Sequence, residues 1–275
     1  MKRVLVTGAN GYIGRFVVKA LLKRGCKVYA SDFSFDGVDD RAVRVDEPIF
    51  GGDEDIYERV GKPDVCVHMA WRNGFIHSSR THIMDLPQHY EFICNMFAGG
   101  LNQLAVMGTM HEVGYWEGAI DEDTPCNPKS NYGIAKNALR QAIFSLPEID
   151  EKCVQWLRAY YILGDDLKNN SIFSRIVKLE QEGAKTFPFN SGKNLYDFIS
   201  VELLAEQIAA CVCQEEIKGV INCCTGRAVS LADKVEEFIA QNHFKIKPEY
   251  GAFPDRPYDS PGVWGNPDKI HKIMK

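Results

Sequence analysis

VLVTGANGYIG, residues 4–14, decides the fold: an apolar run opens onto glycines 8, 11 and 14 and then resumes with helical spacing. Each glycine has a physical task. Gly8 makes the tight turn, Gly11 lets a pyrophosphate approach the backbone, and Gly14 lets helix and strand pack closely. The helix start offers free N–H groups and a positive dipole end to phosphate. Asn10, Tyr12 and Ile13 share this loop and are expected to line the same cofactor. Glycine spacing of this kind also occurs in ordinary turns, so the context matters. Here Asp32 closes the next apolar run eighteen residues after Gly14, where an acid binds ribose hydroxyls. A carboxylate there repels the 2′-phosphate of NADP, so NAD is the expected cofactor. Arg41 and Arg44 follow closely, two cations able to offset that repulsion.

Outward from this loop, short apolar runs alternate with helical patterns, as a parallel sheet with crossover helices requires. Strands are expected at residues 3–7, 27–31, 41–45, 64–70, 104–108 and 154–162. Helices are expected at 12–24, from 89 toward 106, and at 130–145. Past Gly164 the texture changes, with helices at 169–182, 202–214 and 231–241, strands at 195–201 and 220–224, and a proline- and glycine-rich tail at 253–266. The reading is an α/β chain: a doubly wound Rossmann domain over 1–163, and a smaller substrate-binding region over 164–275, partly interleaved with the core.

The 275 residues are 45% hydrophobic and 25% charged, enough to build a sizeable core. A formal net charge of −5 argues against nucleic acid or an anionic membrane as partner. The absence of a long apolar run, and a first strand beginning at residue 3, suggest neither a membrane span nor a signal peptide. Nine scattered cysteines fit reduced thiols in a cytoplasmic protein. No metal is expected, since His68 and His111 have no partners at ligand spacing.

YGIAK, residues 132–136, sets Tyr132 and Lys136 four apart on one helical face. A phenol with an ordinary pKa near 10 is a poor base at neutral pH. An adjacent ammonium favours the phenolate. The spacing alone arises often on surface helices; together with the glycine loop and Thr109 upstream it defines a proton-transfer pair.

At this point the sequence resembles the extended short-chain dehydrogenases of the NAD-dependent nucleotide-sugar epimerase/dehydratase family. TGANGYIG (7–14) is similar to the family's TGxxGxxG, and YGIAK to its YxxxK. The resemblance implies a catalytic hydroxyl at Thr109, within VMGTMHEVG (106–114). It implies that the backbone at Ala70, in VHMA (67–70), lies against the cofactor, and that Asp46 approaches the adenine. Lys136 would also grip the nicotinamide ribose. Asn95 resembles a supporting helix asparagine. Substrate contacts are implied at Tyr161, in LRAYYILG (157–164), at Asn170, in NNSIF, and at Arg256 in RPYD. Arg72, directly after VHMAW, is either a substrate contact or a solvated loop charge. Thr109-Met110-His111 replaces the dehydratase Thr-Asp-Glu pattern, though a shifted register would bring Glu112 near. Tyr196 stands where the family keeps an arginine.

The resemblance implies hydride transfer at a hexose carbon of a nucleotide sugar, with C4 the expected position, in a homodimer joined through helices near 90–105 and 130–145. A 4-epimerase is the expectation, because NAD suits a redox-neutral cycle. The alternative is a nucleotide 4-keto-6-deoxysugar reductase, favoured by the early stop at Lys275. A non-catalytic NAD-binding regulator is the remoter reading, opposed by the intact Tyr132/Lys136 pair.

Overall fold

The computed structural model describes residues 1–164, 171–255 and 259–275. The glycine loop leaves β1 (Arg3–Thr7) and enters α1 (Gly14–Lys23). β2 (Lys27–Ser31) and β3 (Val43–Val45) follow, then α2 (Ile56–Arg59), β4 (Val65–His68), α3 (Thr81–Met84) and α4 (Leu86–Gly99). β5 (Gln103–Thr109) and β6 (Gly118–Ile120) precede α5 (Asn131–Phe144), β7 (Cys153–Ala159) and β8 (Tyr161–Leu163). After these come α6 (Ile172–Gln181), β9 (Thr186–Pro188), β10 (Leu195–Ser200), α7 (Val201–Val212), β11 (Gly219–Cys223) and β12 (Ala228–Ser230). α8 (Leu231–Gln241), β13 (Lys247–Glu249), β14 (Gly262–Gly265) and α9 (Asp268–Ile273) complete the order.

The main sheet runs β11-β7-β5-β4-β1-β2-β3, with every pairing parallel. Its central strands are buried along their whole length, as strands covered by helices on both faces must be. Strand order reverses between β1 and β4, and that reversal opens the crevice at their carboxyl ends where ligands bind in such sheets. The seventh strand, β11, comes from the second half of the chain, and α7 packs on α1.

A second sheet runs β12-β10-β14-β6, with β8 paired to the far end of β10. Asp197 on β10 links the layers. Fully buried, its carboxylate accepts the N–H and hydroxyl of Thr225 at 2.9 and 2.6 Å and the N–H of Gly226 at 2.9 Å. Serines cap the helix starts: Ser130 accepts the Gly133 N–H at 3.2 Å and Ser200 that of Leu203 at 3.1 Å.

Two expectations are corrected. The strand expected at 154–162 is two strands, because the chain turns at buried Tyr160, whose hydroxyl donates to Asn222 on β11 at 3.1 Å. β7 stays in the main sheet while β8 crosses to the second. The helix running toward 106 stops at Gly99, with Gly100 in the left-handed conformation at φ 116°. Within the proline- and glycine-rich tail, β14 pairs with β10 and β6, and α9 follows.

Candidate active site

The glycine loop sits at the β1/β4 switch point. Gly8 has φ +68°, and a Cβ built on it would fall 2.8 Å from the backbone nitrogen of Ala70. A Cβ on Gly14 would lie 2.0 Å from the Gly8 carbonyl oxygen. Both positions are closed to side chains, as a cradle for close backbone approach requires. Asp32 accepts the N–H groups of Asn10 and Phe33 at 2.8 and 2.7 Å, so its carboxylate braces the loop from the end of β2. The Asn10 side chain accepts from the Gly37 N–H at 2.8 Å and donates to Ser34. Tyr12 donates to the Gly164 carbonyl at 2.6 Å, tying the loop to the end of β8. Asn10, Tyr12, Arg15, Asp36 and Gly37 line a cavity of about 380 Å³ beside it. Asp46 is exposed just past β3, on the same edge. This arrangement fits NAD: the loop backbone would hold the pyrophosphate and Asp32 a ribose.

Thr109 ends β5 and caps the turn that follows, its hydroxyl accepting the His111 N–H at 3.3 Å. Tyr132 and Lys136 rise from α5 beside it. Lys136 is buried and donates to the Met107 carbonyl at 2.7 Å. Burial pushes its amine down to about 7, with the Glu112 charge opposing. The Tyr132 phenol is raised above its ordinary value by burial and then by Glu112, while a side-chain hydrogen bond with Thr109 pulls the other way. Without a further partner, the pair is therefore biased to its uncharged forms.

Aromatic rings enclose Tyr132. His77 stacks on it at 5.0 Å and 16°, and the His77 carbonyl accepts the Tyr132 N–H at 3.1 Å. His82 lies 5.2 Å away, and His111 and Trp71 lie 6.3 Å away. Phe75, Ile76, His77, Ser78, Lys129 and Ser130 border an adjoining cavity of about 660 Å³.

Behind the pair runs a neutral histidine chain. The Thr7 hydroxyl oxygen accepts the N–H groups of Met69 and Ala70 at 3.1 and 3.2 Å, so its proton goes to His68 Nδ1 at 2.9 Å. His68 then donates from Nε2 to His89 Nδ1, also at 2.9 Å. Burial holds His68 well below the usual imidazole range and His89 down to about 3.

The structure thus gathers the glycine loop, Asp32, Ala70, Thr109, Tyr132 and Lys136 along one sheet edge. Arg72 is exposed, with its fork engaged by Asp85 at 2.9 and 2.7 Å. Tyr161 packs instead with Tyr196 at 4.3 Å and Phe198 at 5.7 Å in the second layer. Asn170 and Arg256 lie outside the described residues. Asn95 does not support the site as expected: it donates to the Asp53 carbonyl at 3.2 Å, and His89 is the α4 residue that reaches inward.

The sequence reading gave no site role to Trp71, and it placed Glu112 near the site only through a shifted register. Glu112 is wholly buried, accepting the Thr109 N–H at 2.6 Å and the Trp156 indole N–H at 2.8 and 2.9 Å, with Arg158 at 3.6 Å. Its signal was present: Thr109-x-x-Glu112 is a capping box. Among the described residues no cluster of histidine, cysteine or acid is placed to hold a metal, and no helix is long and apolar enough to cross a membrane.

A parallel sheet with a phosphate cradle at its switch point, facing a Tyr–Lys pair beside a threonine, defines a nicotinamide-dependent oxidoreductase of the extended short-chain type. The profile of the NAD dependent epimerase/dehydratase family matches residues 4–224, and the chain belongs to that family. It is an NAD-dependent enzyme. The chain is 46% identical over 269 residues to the dTDP-6-deoxy-L-talose 4-dehydrogenase (NAD(+)) of Aggregatibacter actinomycetemcomitans, covering 95% of this chain and 98% of that one. It is 25% identical to a probable UDP-arabinose 4-epimerase of Oryza sativa subsp. japonica, over 98% of this chain and 74% of the relative. The fold also matches UDP-N-acetylglucosamine 4-epimerase from Methanobrevibacter ruminantium M1, solved with UDP-N-acetylmuramic acid. That match has TM-score 0.85 and 18% identity, and covers 100% of this chain and 92% of that one.

Proposed function

We propose that this chain is an NAD-dependent dehydrogenase of nucleotide-activated 6-deoxyhexoses, interconverting a hydroxyl and a ketone at C4. The observation that carries this reading is the end-to-end likeness, at 46% identity, to a relative named for that reaction. NAD, when bound, supplies the hydride acceptor. The residues supply the rest. Tyr132, as phenolate, takes the proton from the sugar hydroxyl, and returns it in the reducing direction. Thr109 donates to the same oxygen and steadies the charge that grows there. Lys136, as ammonium, lowers the cost of the phenolate.

The relative moves the balance from the epimerase expected above to a net dehydrogenase. Glu112 speaks against dehydration, because its carboxylate is committed to Thr109, Trp156 and Arg158 below the site. The intact Tyr132/Lys136 pair speaks against a silent regulator. The homodimer belongs to the same proposal: Tyr90 on α4 and Ile134 on α5 stand exposed, and sedimentation of the purified chain checks it.

The test is direct. Purified protein with NAD and dTDP-6-deoxy-L-talose should generate absorbance at 340 nm, and the matching 4-keto sugar with NADH should consume it. Interconversion of C4 epimers with no net NADH would replace this reading with the epimerase. Inertness toward both assays, with NAD bound, would favour the regulator.

A further inference from the structure

Trp71 occupies a position that neither the family motifs nor the proton-transfer pair explains. Its indole N–H donates to His82 Nδ1 at 2.9 Å, and His82 Nε2 is 3.0 Å from the Ile76 carbonyl, which fixes the tautomer. One face of the indole stacks on the His89 ring at 4.3 Å and 19°. The Lys136 ammonium lies 3.8 Å from the same ring's centroid. His89 is itself held by His68, and His68 by Thr7 on β1.

We propose that Trp71 is the positioning residue for Lys136: a clamped indole face that holds the buried lysine as an ammonium, aimed past Tyr132. The physical case is a balance. Lys136 is almost wholly buried, and its ammonium donates to one backbone acceptor, the Met107 carbonyl, among the described residues. An ammonium over the face of tryptophan gains most when both are desolvated. Among the described residues the surroundings offer one source of negative charge, Glu112, against which stand the neutral imidazoles of His68 and His89; Tyr132 shares the helix with Lys136, and His82 sits behind the indole. The indole can supply what the backbone does not. Its hydrogen bond and its stack would cost little to omit if the ring merely filled space, yet together they set its plane.

The inference rests on the proposed dehydrogenase chemistry, so its test is read in two ways. In the full-length, cofactor-free protein, the rate of Lys136 acetylation by acetic anhydride is followed against pH by peptide mass spectrometry. Trp71→Leu should move the midpoint of that titration down by about one pH unit, the worth of a desolvated contact of this kind. Trp71→Phe keeps a ring but loses the indole N–H, and should fall between; a folded Trp71→Phe serves if Trp71→Leu does not fold. In the dehydrogenase assay the acid limb of the kcat profile should move to higher pH in the same order, since a less populated ammonium leaves the phenolate costlier. A midpoint unchanged or raised in both variants overturns the role of Trp71. If Tyr132→Phe retains full turnover, the dehydrogenase reading fails instead, and the amine titration still decides Trp71.

Discussion

Lys136 donates to the Met107 carbonyl oxygen at 2.7 Å, which pins the helix carrying the reactive pair to the strand that ends at Thr109. A side-chain bond to a strand carbonyl two residues before the Thr109 hydroxyl sets two parts of the candidate site by one contact. The proposed proton relay then needs no loop to hold its geometry. Predictions about the pair can be made from rigid elements.

Tyr132→Phe should cut turnover by a factor on the order of 10²–10⁴, the usual worth of positioned acid–base catalysis. The ring stays stacked on His77 and the backbone bond to the His77 carbonyl remains, so fold and NAD affinity should be unaltered. Steady-state kinetics beside a cofactor titration checks both halves. Near-normal turnover would remove Tyr132 from its role.

Lys136 makes stability depend on pH. Its amine titrates near 7 in the fold against 10.5 for the free side chain, so the unfolded chain binds more protons between those values. Stability therefore rises with pH across that window and is lowest below pH 7. In Lys136→Met that contribution is gone. Urea unfolding of both proteins from pH 6 to 10 should show wild type gaining on the variant by a few kcal/mol as pH rises. Parallel curves would mean the amine is not desolvated as the structure has it.

Much of this site was legible in advance, and the reason is local. Glycine, the acid at a strand end, and a Tyr–Lys pair four apart are constraints satisfied within a few residues, so their spacing survives in the sequence. The parallel α/β class followed from alternating patterns for the same reason, whereas the order of the strands is set by long-range packing. What stayed hidden depends on packing between distant segments. The break at Tyr160 is set by Asn222, sixty-two residues on. The place of His89 inside the site is set by Trp71 and His68, neither of which has a spacing relation to α4. Asn95 illustrates the converse: an amide on the right helix faces the loop at Asp53, because a shift of a few residues turns a side chain to another face.

Glu112→Ala should cost more than most single changes, about 3 kcal/mol or above. It removes the acceptor for the Thr109 and Trp156 N–H groups and leaves the Arg158 guanidinium, wholly buried, without its carboxylate. Glu112→Gln, which keeps one acceptor oxygen, should lose less. Chemical denaturation of the three proteins gives the order. Equal stability in all would mean that the buried carboxylate is not the anchor of the β5–α5 turn.

Asp32 has two tasks, and one substitution separates them. Its oxygens brace the loop through the Asn10 and Phe33 N–H groups, and its charge stands at the end of β2 where a ribose hydroxyl, or an NADP 2′-phosphate, would come. Asp32→Asn removes the charge but keeps one oxygen as acceptor. NAD should bind more weakly, since a neutral amide is the poorer acceptor for a ribose hydroxyl. NADP should lose less or gain, because repulsion of its extra phosphate has gone. The ratio of the two dissociation constants should therefore fall from well above tenfold in favour of NAD toward parity, a change of about 1.4 kcal/mol for each factor of ten. Arg41 is held by Asp39 at 2.9 and 2.8 Å and Arg44 lies against Asp40, so neither arginine is poised to attract that phosphate ahead of the carboxylate. Titration of both cofactors into wild type and Asp32→Asn checks the argument. Equal affinities in the wild type would show that those arginines outweigh Asp32, and an unchanged ratio in the variant would leave the carboxylate as a loop brace alone.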